Sequence, residues 1–207
     1  SDVGAYVLWP RVVRAVRARA PGVRLSLRTL QQSEISLALA EGHVDLAIGS
    51  YPGLPDSLFQ QRLFERAYVA LVAAGHPLAR KALTLRSFAA APHIVVRAPS
   101  RVQDRIDEEL ASHRLARSEC VELPSYLMIP PLLEASDFLA VVPGQLADAF
   151  SRHGSFVSRK LPVSVPPSVI RMHWHRRFNE DPANRWLRGL MAEEFGGEPV
   201  PARRAGR

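Results

Sequence analysis

Two hydrophobic periods alternate along this chain, and that alternation restricts its fold more than any other feature. Ala5, Leu8, Trp9, Val12, Val13 and Val16 recur at helical spacing behind the capping pair Ser1-Asp2, and Pro21-Gly22 stops the stripe. Pro10 belongs near the first turn of that helix or kinks it slightly. Val23-Arg24-Leu25-Ser26-Leu27 then alternates with period two, as a strand does. Ser33 and Glu34 open a second helix carrying Ile35, Leu37, Leu39 and Ala40, which Gly42 ends. Residues 44–49 form a short apolar run, the pattern of a strand buried on both faces. Helix, strand, helix, strand with short links predicts a parallel sheet with crossover connections.

After a loop at residues 51–55, a strand is predicted over 68–72, a turn at 75–79 and a helix over 83–91. A second alternating set follows: strand 93–97, helix 102–115, strand 120–123, helix 126–135, strand 138–142 and helix 145–150. Further strands are predicted over 156–161 and 169–174, and a last helix over 182–195 behind Asn179-Glu180-Asp181-Pro182. The rhythm predicts two similar α/β lobes, with the final strand and helix returning to the first. The expected boundaries are 1–60 with 170–207 for one subdomain and 61–169 for the other. Two chain crossings between them would form a hinge.

With 207 residues, 47% of them apolar, the chain is long enough for a real core. No apolar run approaches the roughly 18–20 residues of a membrane span. The chain opens at Ser1 without a Met and is read as a fragment. One cysteine, Cys120, excludes an internal disulfide and a thiolate-rich metal site, and it reads as structural. Basic residues exceed acidic ones, 27 to 20, for a net charge of +7 and a pI of about 10.4. Almost all the cations are arginines, Lys81 and Lys160 being the lysines. They are dispersed, and Arg11, Arg14, Arg17 and Arg19 read as the solvated face of one helix. No recognition-helix, RNA-binding or zinc-finger pattern accompanies them, so direct nucleic-acid contact by this segment is not expected. The tail 202–207 reads as a frayed terminus.

Catalytic motifs are missing from the sequence: no Gly-x-Ser-x-Gly, no phosphate-binding Gly-x4-Gly-Lys, no Gly-x-Gly-x-x-Gly after a strand, no His-Glu-x-x-His. His173 and His175 share one strand face but have no third ligand nearby in sequence, so they read as a packed or cleft-facing pair. Asp104, Asp107, Glu108 and Glu109 with Arg101 and Arg105 read as a solvated helix face. Neither an enzyme nor a cofactor site is expected. The helix N-termini fall at Ser1-Asp2, Leu30-Gln31-Gln32-Ser33, Ala98-Pro99-Ser100-Arg101 and Pro124-Ser125-Tyr126. Their hydroxyls and amides suit a small polar or anionic ligand held in a cleft outside the strand ends.

Several motifs narrow this picture. Leu37-x4-Gly42-His43-Val44-Asp45-Leu46-Ala47-Ile48-Gly49, with Leu8-Trp9-Pro10, Pro21-Gly22-Val23, Gly75-His76-Pro77-Leu78-Ala79 and Leu139-Ala140-Val141-Val142-Pro143, resembles the effector-binding domain of LysR-type transcriptional regulators. Phe59-Gln60-Gln61-Arg62-Leu63-Phe64 and Trp174-His175-x2-Phe178-Asn179-x-Asp181-Pro182-x2-Arg185-Trp186-Leu187-Arg188 resemble the branch responding to salicylate, nitroaromatics and nodulation flavonoids.

The resemblance implies an α/β fold of two Rossmann-like subdomains joined by crossing strands, similar to type 2 periplasmic binding proteins. It implies a winged helix-turn-helix and linker helix that this chain lacks, DNA contact only through them, and a cytoplasmic protein. A small-molecule effector would sit in the inter-lobe cleft, with homodimer or homotetramer contacts in which Leu8 to Val16 of one copy face the region 126–150 of another. That branch places histidines on the cleft wall; the matching positions here are Arg66, Gln103 and Ser125. Arg66 suits a bidentate carboxylate pair, and Arg97 is a second cation candidate. Leu8, Tyr126 and His173 would supply the walls, joined by Ser1, Asp2, Gln32 and Ser100. The expected effector is an aromatic or other small organic acid. The alternative is a solute-binding protein of a transporter with the same fold.

Overall fold

The structure, a computed structural model, describes residues 2–97 and 101–196, so Ser1, Ser100 and the tail 202–207 lie outside the described residues. The chain divides into two compact units. One comprises Val3–Glu65 and the return segment from Ser168 onward; the other comprises Asp2 and Arg66–Pro167.

The first unit opens with α1 (Asp2–Val7) and α2 (Trp9–Arg19), interrupted at Leu8. Pro10 is the cause: it has no N–H to give the Tyr6 carbonyl, and its ring crowds that oxygen. α3 (Gln32–Glu41) starts with a capping box, Gln31 at the cap and Glu34 reaching back to its N–H at 2.7 Å. It ends at Gly42, whose φ of +78° is the left-handed turn a C-terminal glycine supplies. The sheet runs β1-β8-β2, built from β1 (Ala47–Gly49), β2 (Leu58–Arg66) and β8 (Ser168–His175). The last helix, α8 (Pro182–Phe195), matches the predicted span end to end. Leu8, Val12, Ala15 and Val16 pack with Leu190, Met191 and Phe195 into the core of this unit. Of the stripe Leu8 to Val16, these four side chains are covered within one chain, while Trp9 and Val13 are half-buried. Arg11 leaves the solvated face as well, its guanidinium lying 4.6 Å over the Phe195 ring.

Two strand expectations fail here. Residues 23–31 form no strand, and Val23 and Leu27 are exposed. Of the run 44–49 only Ala47–Gly49 is a strand, half-buried and antiparallel to β8 through Ala47↔His173 and Gly49↔Arg171. The expected parallel pairing of these two segments is absent among the described residues. Period-two patterning marks which side chains would be covered; it does not supply the neighbouring backbone that a ladder requires.

The second unit carries a five-stranded sheet in the order β5-β4-β6-β3-β7: β3 (Tyr68–Ala73), β4 (Pro92–Val96), β5 (Ser118–Leu123), β6 (Leu139–Pro143) and β7 (Phe156–Arg159). β4 is parallel to β5 and β6, while β3 is antiparallel to β6 and β7. α4 (Leu85–Ala90) and α5 (Val102–Ser112) bury Phe88, Ile106 and Leu110 against Val72, Leu139 and Val141. The helix expected over 126–135 is split into a 3-10 turn (Tyr126–Met128) and α6 (Ile129–Glu134). Pro130 and Pro131 lack donors, so an α-helix holds them only in its first turn, which fixes the start at Ile129. α7 (Gly144–Ser151) follows β6 directly.

Candidate functional site

The second unit gathers a polar cluster from three places in the sequence. Arg66 ends β2 and Tyr68 begins β3, two residues on, so both side chains project from the same side of extended chain. Tyr126 and Ser125 stand at the turn after β5. Asp2 joins them: its Oδ2 accepts the Ser125 hydroxyl at 2.7 Å and the Tyr126 N–H at 2.8 Å. Ser125 in turn caps its own turn, its oxygen accepting the Leu127 N–H at 3.2 Å.

Arg66 is the chemical centre of this cluster. Its Nε is buried and has no hydrogen-bond partner among the described residues. Burial holds the guanidinium below its ordinary range, opposed by the Tyr68 hydroxyl that it bonds and by the fields of Tyr126 and Asp2. Tyr126 is 5% exposed, and burial pushes its phenol above the ordinary value, so it stays a neutral hydroxyl. A desolvated guanidinium with an unmatched donor, set beside the neutral Tyr126 hydroxyl, favours a planar oxyanion.

The other expected site residues are placed as follows. Arg97 is exposed and donates from Nε to Glu122 at 3.0 Å and from Nη2 to Glu119 at 2.7 Å. Those partners, the Glu122 hydrogen bond foremost, raise its pKa. Gln103 is 3% exposed, and its Oε1 accepts from Arg117 at 2.6 Å. In the first unit, Gln32 donates to the Pro52 carbonyl at 2.7 Å, and Leu8 belongs to the core. His173 is buried in β8 with its ring 5.7 Å from Tyr51 and its Nε2 unpartnered among the described residues. Burial lowers its pKa, with Arg171 adding to the effect and a bond to the Gly49 backbone opposing it. His175 accepts the Arg177 N–H at 3.3 Å, and no group of three metal-ligating side chains occurs among the described residues.

Two residues were not anticipated. Tyr68 had a signal, since an i,i+2 neighbour of Arg66 in extended chain shares its face. Arg117 had none. Its side chain is 1% exposed and is held by Asp107 at 2.8 Å, Glu119 at 3.1 Å and Gln103. Asp107 thus stays half-exposed while pairing with a buried arginine, whereas Arg101–Asp104 and Arg105–Glu108 pair along the helix as i,i+3 neighbours. Cys120 is exposed on β5, its sulfur 3.6 Å from the Ser118 hydroxyl.

A family model described as LysR substrate binding domain matches residues 1–196. The HTH-type transcriptional activator NahR of Pseudomonas putida is 34% identical over 197 residues, covering 94% of this chain and 65% of NahR. The chain thus spans a little under two thirds of the length of that curated relative. Among solved structures, the regulatory domain of MexT, a transcriptional activator in Pseudomonas aeruginosa, superposes with a TM-score of 0.83 at 27% identity, covering 94% of this chain and 96% of that one. The effector-binding domain of QuiR in complex with shikimate has a TM-score of 0.69 at 18% identity, over 96% and 95% of the two chains, a likeness of fold.

Proposed function

The chain belongs to the LysR substrate-binding domain family, and on that premise we propose that it senses a small organic acid, aromatic acids included, by taking its carboxylate at Arg66. The observation that carries this reading is the buried Arg66 Nε without a partner, a donor whose desolvation an incoming carboxylate would offset. Tyr126 places a neutral hydroxyl beside that donor, able to bond a carboxylate or a ring hydroxyl. The shikimate held by the QuiR domain is itself a small carboxylic acid, which agrees with the class.

No covalent step is needed for sensing. An effector shifts a conformational equilibrium only by its differential affinity for the two states. Arg66 satisfied by a carboxylate and Arg66 unmatched differ by a charge-assisted hydrogen bond, about 1.5–3 kcal/mol, enough to bias such an equilibrium by roughly 10- to 100-fold. In the whole protein that bias would reach DNA through a helix-turn-helix part outside residues 1–207, with the copies assembled as a homodimer or homotetramer in the cytoplasm. The name of NahR supports the DNA-directed role, and no helix among the described residues is long and apolar enough to cross a membrane.

Isothermal titration of the chain against benzoate, salicylate and shikimate tests the proposal. Saturable heat with at least one acid, lost in Arg66→Gln, is the expected result. No heat with any acid, together with saturable binding of an organic cation or a neutral sugar, would overturn it.

A further inference from the structure

Gln103 and Asp107 stand one helical turn apart on α5, and the buried Arg117 spans them. Its Nε and Nη2 donate to the two Asp107 carboxylate oxygens at 2.8 and 3.0 Å, a two-pronged hold. Glu119 takes Nη2 as well at 3.1 Å, and the other oxygen of Glu119 accepts from Arg97 at 2.7 Å. Pinned in this way, the guanidinium aims Nη1 at the Gln103 Oε1, 2.6 Å away. Arginine carries donors only, so it admits one orientation of that amide and refuses the flipped one. The end left for another group is the Gln103 Nε2, which is buried and has no partner among the described residues.

The topology carries this donor to the edge of the sheet where Arg66 lies. β4 runs parallel to β5 and β6, and β3 begins where β6 ends, Tyr68 opposite Pro143. The first turn of α5 follows β4 and Tyr126 follows β5, so Arg66, Tyr68, Gln103 and Tyr126 share the edge at the carboxyl ends of the parallel strands. Val102, next to Gln103, packs in one core cluster with Tyr68. That edge of the second unit therefore holds two buried donors in need of acceptors, the Arg66 Nε and the Gln103 Nε2. A lone carboxylate can serve the first. The second calls for another acceptor on the same molecule, because a buried donor left unmatched costs binding.

We propose that Arg117 is a positioning residue for effector recognition: by fixing which end of the Gln103 amide is free, it selects organic acids that carry a second acceptor oxygen, a carbonyl or another carboxylate. Arg117 touches no ligand and acts through Gln103. The inference rests on acid binding at Arg66 and adds a preference within that class.

Calorimetric titration of the 207-residue chain compares 3- and 4-acetylbenzoate with 3- and 4-isopropylbenzoate, acids of like size without the carbonyl. At least one acetyl acid should bind roughly 3- to 10-fold more tightly than its isopropyl counterpart. Arg117→Met should bring that ratio close to one, since the released amide can turn either end outward. A merely structural loosening would weaken both acids together and leave the ratio alone. Gln103→Leu should also remove the preference, and adding Arg117→Met to it should change the ratio no further. Should Arg117→Met not fold, Gln103→Glu keeps an oxygen on Arg117 and puts a second oxygen where the amide nitrogen stood, and it should turn the preference against the acetyl acids. Equal affinities in the unaltered chain, or a preference that survives these substitutions, would overturn this inference and leave the Arg66 reading standing. No binding by any of the four acids, nor by benzoate, salicylate or shikimate, would overturn both.

Discussion

Arg66 and His93 show how the same force, desolvation, produces opposite consequences in one unit. At Arg66 it leaves a charged donor in search of an anion. Arg66→Met should therefore weaken binding of an organic acid by about 10- to 100-fold. The melting temperature should fall modestly, because the variant also removes the partner of the buried Tyr68 hydroxyl. At His93, burial instead keeps the ring neutral. Its Nε2–H donates to the Phe88 carbonyl at 2.8 Å, its ring stands edge-on to Phe88, and its pKa falls from 6.5 to about 4. The unfolded chain takes up this proton near pH 6.5 and the folded one only near pH 4, so between those values the unfolded state holds more protons. Stability should fall as pH drops through that window, by at most about 3 kcal/mol from this group. Urea titrations at pH 7 and pH 4.5 measure the slope, and His93→Gln should flatten it. Arg66 was singled out in the sequence only through the family resemblance, at a position matching a cleft-wall histidine. Arg117 was not, because its partner Asp107 lies ten residues earlier, on the far side of a turn, and no local pattern joins them.

Helix ends were read more faithfully than strands, and the reason is that their signals are local. Asp181 caps α8 by accepting the Asn184 N–H at 2.7 Å, and Pro182 occupies the first turn. Asp181→Ala should cost about 1 kcal/mol in chemical denaturation. Gly42 is equally local: an added Cβ would meet the Phe178 Cζ at 3.1 Å, and its φ of +78° strains any branched residue. Gly42→Val should accordingly destabilise by more than the roughly 1 kcal/mol ordinarily lost on forcing one L-residue left-handed. Strands depend on neighbours that the sequence does not name. The alternation in 23–27 is real, yet no ladder forms there, and of the run 44–49 only Ala47–Gly49 pairs, along β8. The interior strands β4 and β6, flanked on both sides, fall within a residue or so of their predicted positions.

Taken whole, the chain is two α/β units with separate cores, one around Leu8, Val12 and Phe195 and one around Phe88, Ile106 and Leu139. Its family was readable because the glycine, proline and aromatic motifs span nearly the whole length, and the match over residues 1–196 agrees with them. The net charge of +7 is dispersed over arginines, many of them held by carboxylates such as Glu119, Glu122, Asp104 and Glu108. The function we propose rests on recognition of an organic carboxylate, through its charge, at Arg66. The most direct measurement compares calorimetric titration of the chain with the organic acid that binds it and with the methyl ester of that acid. The acid should bind the unaltered chain at least 10-fold more tightly than the ester, with the preference lost in Arg66→Gln. Equal affinity for acid and ester, or a preference that survives the substitution, would contradict it.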